Sequence, residues 1–412
     1  MEIVEDVVIV GAGIAGLATA VAMKRVGVRA LVLERSDGLR ATGAAIGLFP
    51  NAWLALDALG VSHKLTSIYA PLKKVSVTNV RTGLIQDTYF SGTERINGAP
   101  RLVHRKVLLE TLANELPIDT IRFSSKLATI KSQAHEAGSP IAIIHLEDKT
   151  VIKAKVLIGC DGVHSVVARW LGIAPPVHSG RSAVRGLSVF PQGHGLQETQ
   201  QFVDLGKRAG FAPLNDKEAY WFLTCLSPPQ AKNPELIQKE VIENYAKDFP
   251  SSFLDMVKHS DVSTLSWAPL MLRYPWNIVL GNLSKGNITV AGDAMHPMTP
   301  DLGQGGCSAL EDAVVLGRHI GLSFVKNGRL VPKEMPLAIQ GYLKERKWRV
   351  AGLVILSYLS GWVQSGSNWL TNFLRYFFYR FFFSRIRSVV YYDCGKLPSV
   401  SSSVSNDSSK ID

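Results

Sequence analysis

Residues 7–23 read VVIVGAGIAGLATAVAM, and the glycines within that apolar run decide what it can become. The run at 6–10 is rich in β-branched residues, as a strand buried in a parallel sheet should be. A helix-like stretch follows from Ile14 to Arg25 and stops at Gly27, and a second buried strand from Val28 to Leu33 ends at Glu34. Gly11-Ala12-Gly13-Ile14-Ala15-Gly16 therefore sits between a strand and a helix. There Gly11 allows a tight turn, Gly13 lets backbone approach a pyrophosphate, and Gly16 lets helix and strand pack closely. Glu34 is placed to accept hydrogen bonds from ribose hydroxyls, and an acid there disfavours a 2′-phosphate. An ordinary glycine-rich turn explains less of this, because strand, helix and acid are all present. The unit predicts a bound dinucleotide. The preceding MEIVED is acidic rather than basic, so the expectation is no signal peptide, no transit peptide and a cytoplasmic protein.

A chain of 412 residues suggests two domains. A hydrophobic fraction of 46% with 19% charged residues is that of a folding globular chain. The net charge of +11 favours anionic partners. Nucleic acid is not expected among them, since no Lys/Arg block with interleaved aromatics occurs before residue 370. Cys160, Cys225, Cys307 and Cys394 lack CxxC spacing, which argues against a disulfide framework or zinc site.

Apolar spacing predicts a helix over 101–116, β-rich pieces over 121–158, strands over 183–226, a helix pair over 234–260, a buried strand over 287–291, and a helix from about Gly305 to His319. The expected fold class is α/β with an α+β insert, in which a Rossmann-like dinucleotide-binding domain is interleaved with a β-sheet substrate domain and followed by a helical C-terminal segment. The first domain is expected over 1–71, 99–182 and 275–350, and the second over 72–98 and 183–274. Residues 351–398 are expected to be helical, and the Ser-rich 399–412 a disordered tail.

Two further stretches carry chemistry. In GCDGVHSVVAR (159–169) a strand ends in a turn where Asp161 and Gly162 can present carboxylate and backbone to a ligand; a self-capped strand–turn–helix is the plainer alternative. In GDAMHPMTPDLGQGG (292–306), Asp293, His296 and Asp301 match no metal-ligand spacing, and no GxSxG elbow supports a hydrolytic triad. No metal site is expected. What remains is a strand end at Asp293, a proline-stiffened turn, and a glycine-rich helix N-terminus suited to an anion or dipole. His296 reads as scaffold, and Asp301 has no role readable from the sequence.

Taken together and in this order, the three motifs resemble flavoprotein monooxygenases of the aromatic hydroxylase type (group A), and PDLGQGG resembles the plant branch related to salicylate hydroxylase and zeaxanthin epoxidase. The resemblance extends to about residue 350 and includes ALEDAVVL (309–316). It implies FAD as cofactor and NAD(P)H as a transient cosubstrate. Gly11, Gly13, Gly16 and Glu34 would hold the ADP half, with Ala15 also cofactor-binding, Arg35 and Arg105 as FAD-contacting arginines, and Asp161–Gly162 as the motif linked to both FAD and the transient NAD(P)H. Asp293 would bind the ribityl chain, and Pro300, Gly303, Gly305 and Gly306 would lie along the flavin ring. Pro300, Gly303 and Arg185 are the residues that would bear on the reaction. It would proceed by O2 addition at flavin C4a and oxygen delivery from the hydroperoxide to a small aromatic or unsaturated molecule. Arg185, Phe211, Trp221 and Pro297 are the expected substrate-lining residues, with Phe222 beside them. Adjacent Trp221 and Phe222 must face opposite ways, so at most one of the two points inward. Hydroxylation is the leading reading, epoxidation the second, and an oxidase or reductase without oxygen insertion the third; a non-enzymatic FAD-fold escort protein is disfavoured by the intact GD stretch. Monomer and dimer both stay open.

At 373–387 the chain reads FLRYFFYRFFFSRIR, after an apolar run at 351–363 too short to span a membrane. Helices capping the substrate domain are one reading. Peripheral membrane contact through 351–390 is the other, since arginines flank many aromatics.

Overall fold

The computed structural model describes residues 4–39, 44–90, 99–134, 140–365 and 389–399. The FLRYFFYRFFFSRIR stretch and residues 400–412 lie outside these, and so does most of the proposed membrane-contacting segment.

Three strands form a parallel core: Val4–Val10 pairs with Ala30–Leu33 on one side and with Val151–Gly159 on the other. Ile288–Val290 extends it in parallel beyond Val151–Gly159. The helix Ile14–Arg25 follows the first strand, as the sequence predicts, and buries nearly every side chain against the sheet and the long helix Gly305–Asn327. Ile121–Arg122 closes the far edge, while the hairpin of Leu127–Ala134 and Pro140–Leu146 branches from Val151–Gly159.

The second sheet has seven strands in the order Ser266–Leu272, Val177–Val189, Glu218–Cys225, Lys207–Pro213, Thr199–Asp204, Lys74–Asn79, Ile85–Tyr89. Lys74–Asn79 pairs in parallel with Thr199–Asp204, so chain near residue 75 completes a sheet built mainly from residues 177–272. Its rear face packs on the helices Pro234–Glu240 and Ser251–Lys258 in a core separate from the larger one.

Several boundaries differ from expectation, the simplest being the helix expected from about Gly305 to His319, which runs on to Asn327. Residues 101–104 are a strand, paired with Ala45–Leu48, and the helix covers only Arg105–Ala113. A short apolar run satisfies both periods, and the long-range partner decides it. Val177–Val189 starts before 183, because a bulge between His178 and Ser182, with Gly180 left-handed, hides a strand inside a polar stretch. One helix, Met335–Ser365, runs unbroken across residue 350, while 391–399 is neither helix nor strand. Among the described residues no helix is long and apolar enough to cross a membrane.

Candidate functional site

The parallel register brings the motifs to one edge. Val10 lies opposite both Leu33 and Gly159, and Gly159 opposite Val290, so the strands end level. Their C-terminal ends deliver the glycine loop, Glu34, Cys160–Asp161 and Gly292–Asp293 to the same rim, where open α/β sheets bind ligands.

Gly11 has φ +103, and a Cβ there would meet the Cys160 carbonyl, so the first and second motifs approach as closely as they do only without a side chain. Glu34 is buried and bent back over the loop: Oε2 accepts from Ala12 N at 2.9 Å and Oε1 from Ser36 N at 2.9 Å. Arg35, next in the chain, is exposed. Ala15 is buried beneath Gly292, where a Cβ would meet its methyl, so it packs two motifs together rather than offering a ligand contact.

The Asp161 carboxylate serves its own turn. It accepts from Ser165 Oγ at 2.5 Å and Val166 N at 2.6 Å, and Ser165 Oγ in turn accepts from Ala168 N at 2.8 Å, capping the helix Val166–Trp170. Burial raises its carboxyl above the usual range against the pull of these donors. The self-capped alternative therefore describes this carboxylate. Cys160 is a buried thiol whose ionisation burial pushes far up, which suits packing and not nucleophilic chemistry.

Asp293 is exposed at the rim and close enough to Arg105 for their charges to act on each other; the charge of Arg185, from the second sheet, acts on Arg105 as well. Burial pulls the Arg105 guanidinium below its ordinary range; Asp293 opposes that shift and Arg185 adds to it. Arg105 Nε is buried with no hydrogen-bond partner. A buried donor left unbonded costs on the order of 1–3 kcal/mol; Nε of Arg208, Arg273 and Arg318 shares that condition, and what sets Arg105 apart is its place at the rim near Asp293.

Pro300 is exposed on the short turn Pro300–Leu302, and Gly303 follows in the left-handed region, with a Cβ there meeting the Phe49 ring. Gly305 and Gly306 open the 23-residue helix, whose first internal bond is Ser308 N to Gln304 O, so preceding N–H groups point outward at its positive end. Pro297, an expected substrate contact, is instead buried, with its carbonyl accepting from Arg273 N.

Strand parity separates the remaining candidates. Arg185 lies opposite Phe222, Phe222 opposite Gly210, and Gly210 opposite Gln201, placing these on one face. Leu187, Tyr220 and Ala212 share that face and pack on the larger core, so it looks toward the glycine-motif rim. Trp221 and Phe211 are 0% and 1% exposed on the opposite face, in the rear core, where Trp221 Nε1 donates to Ser260 Oγ. They do not line the site; their one-residue offset from Phe222 and Gly210 turns them away. Unforeseen on the front are Tyr220 and Arg208, whose guanidinium lies 5.7 Å from the centroid of the Phe222 ring. Stepping by two from Arg185 along each partner strand would have found both.

Also unforeseen is the support beneath Gly292–His296. Asp312 accepts from Gly292 N (2.9 Å), pairs with His296 Nε2 (2.6 Å) and accepts from Arg346 Nε (2.7 Å), while Glu311 pairs with Arg346 and Arg349. Adjacent acids in the apolar stretch ALEDAVVL were the available signal, since such residues are buried only when paired. Among the described residues no group of three or more His, Cys, Asp or Glu could hold a metal ion.

A family profile described as FAD binding domain matches residues 5–332. "Monooxygenase 2" of Arabidopsis thaliana is 41% identical over 406 residues, covering 95% of this chain and 98% of that one. Klebsiella pneumoniae HpxO complexed with FAD and uric acid has the same fold, with TM-score 0.80 at 24% identity over 94% of this chain and 96% of that one. So does a salicylate hydroxylase substrate complex, with TM-score 0.74 at 19% identity over 95% and 96%. The level strand ends, the glycine loop and the GD turn are thus those of a known architecture, and the chain belongs to the FAD-binding-domain family as a flavoprotein monooxygenase of the plant-type aromatic hydroxylase group.

Proposed function

We propose that this protein is a single-component monooxygenase that uses FAD, NAD(P)H and O2 to hydroxylate a small, planar, anionic aromatic molecule. The observation that carries this is the meeting of Arg105, with its unbonded buried Nε, Asp293 at the rim, and Arg185 on the facing sheet. The residues fit FAD: a glycine loop with no room for a Cβ at Gly11 or Gly16 and open space at Gly13, Glu34 folded over that loop, and an arginine donor without a protein partner at the rim. Gly11, Gly13, Gly16, Glu34 and Arg35 would hold its ADP half, Asp293 its ribityl chain, and Arg105 an acceptor on the cofactor. When bound, FAD would supply an acceptor for hydride from NAD(P)H that, once reduced, activates O2 so that one oxygen atom enters the product and the other leaves as water.

The rest falls to the protein. Outward N–H groups at 305–307 favour negative charge on a reduced flavin ring. Arg185 and Arg208 attract and orient an anion, Phe222 and Tyr220 offer ring surface, and the sheet excludes water from the reacting centre. Uric acid, bound by HpxO, and salicylate, after which the other structural neighbour is named, are likewise planar and acidic, which supports this choice of class.

The test is a screen of anionic aromatics following NAD(P)H oxidation, with products formed under 18O2. One 18O atom per product is expected; product formed without label would refute the monooxygenase assignment. Asp293→Ala should release FAD or abolish turnover, and a variant with full flavin and full rate removes Asp293 from the site.

A further inference from the structure

The turn Pro300–Leu302 and the strand Val177–Val189 meet through a buried ion pair. Arg181 Nη1 donates to Asp301 Oδ1 at 2.9 Å and Nη2 to Oδ2 at 2.5 Å, and the side chains are 5% and 2% exposed. This two-pronged geometry fixes orientation as well as distance. Arg208 Nη1 lies 3.9 Å from the same Oδ1, while its Nη2 donates to Gln201 and its plane lies over Phe222. The long helix Met335–Ser365 closes over the pair at Gly361, where any Cβ would overlap both the guanidinium and the carboxylate. One carboxylate thus serves two arginines, leaving a net positive charge on the face that looks toward the rim.

We propose that Asp301 is a positioning residue. Through Arg181 it latches the substrate sheet onto the turn beside the flavin, and its charge tempers the Arg181–Arg208 field felt there. The inference rests on the proposed placement of flavin along residues 300–306. In a site withdrawn from water, charges act over several ångströms with little screening. Removing the carboxylate should therefore make reduction of the flavin easier, and removing Arg181 should make it harder.

The experiment measures FAD stoichiometry and flavin midpoint potential in the full-length holoprotein. Asp301→Asn preserves shape and should retain FAD with an upward-shifted potential. Arg181→Gln should shift it downward, and the double variant should return near wild type. A scaffold that merely loosens gives shifts of one sign, so same-sign shifts, or none in either single variant, would overturn the proposal. Failure of wild-type protein to bind FAD would instead overturn the functional reading on which it rests.

Should Asp301→Asn not fold, Arg181→Lys and Gly361→Ala decide. Each should leave the potential near wild type yet speed hydrogen exchange together at 182–189 and 300–303. Faster exchange in only one of the two segments, or in neither, shows that no latch joins them.

Discussion

Arg346 is 0% exposed and ion-paired with Glu311 and Asp312, whereas Arg105, also drawn out of water, has its Nε without a partner and feels the charge of a second arginine, Arg185. The difference separates scaffold from site. A buried charge answered by the protein's own carboxylates holds elements together; one left unanswered leaves room for a ligand that will answer it. The substrate sheet repeats the contrast, with Trp221 sealed behind it and Phe222 on the front under Arg208.

Substitutions that attack each side should separate them. The largest effect is expected for Arg346→Met, which leaves Glu311 and Asp312 short of a buried partner and should cost about 3–5 kcal/mol in thermal or denaturant unfolding, with or without FAD. A loss seen only in the holoprotein would move Arg346 into the site.

Next comes pH. Burial alone would raise the Asp312 carboxyl, but His296 and Arg346 outweigh it and hold it at about 2. In the unfolded chain it titrates near 3.9. Its stabilisation, on the order of 2–3 kcal/mol, is therefore complete above about pH 4 and is lost as pH falls toward 2. Asp312→Asn should flatten that acid limb, and an unchanged limb would show that the carboxylate is not charged in the fold.

Arg105→Gln should leave apoprotein stability unchanged or raised, since a buried unbonded donor is removed, while weakening FAD about ten- to a hundredfold, as loss of a hydrogen bond from a charged group does. Equal stability losses in apo- and holoprotein with unaltered FAD affinity would erase its contrast with Arg346. The smallest effect belongs to Phe222→Leu: under about 1.5 kcal/mol in stability, with the change confined to KM for the aromatic substrate. An effect as large as that of truncating Trp221 would mean that the two faces are not distinct.

What could be read from sequence follows the range of the forces involved. The glycine loop and Glu34 were legible because a tight turn between strand and helix is a local demand. Parity warned that Trp221 and Phe222 diverge but not which turns inward, since that depends on which face the first domain covers. The strand at 101–104 was read as helix because its partner, Ala45–Leu48, lies far away in the chain. Arg181 and Asp301 are separated by 120 positions, and neither has a local pattern that announces the other.

The parallel pairing of Lys74–Asn79 with Thr199–Asp204 has a consequence for assembly. Residues near 75 must wait, during synthesis, for more than a hundred later residues before their sheet exists, and the nucleotide-binding sheet likewise waits for Ile288–Val290. Neither sheet is built from an uninterrupted run of its own strands, and truncation before residue 288 strips Ile288–Val290 from the nucleotide-binding sheet, while the substrate sheet is complete only at Leu272. Such long-range closure makes folding slow and exposes unpaired strands meanwhile, so the chain's dependence on late residues is a kinetic liability shared by its two halves.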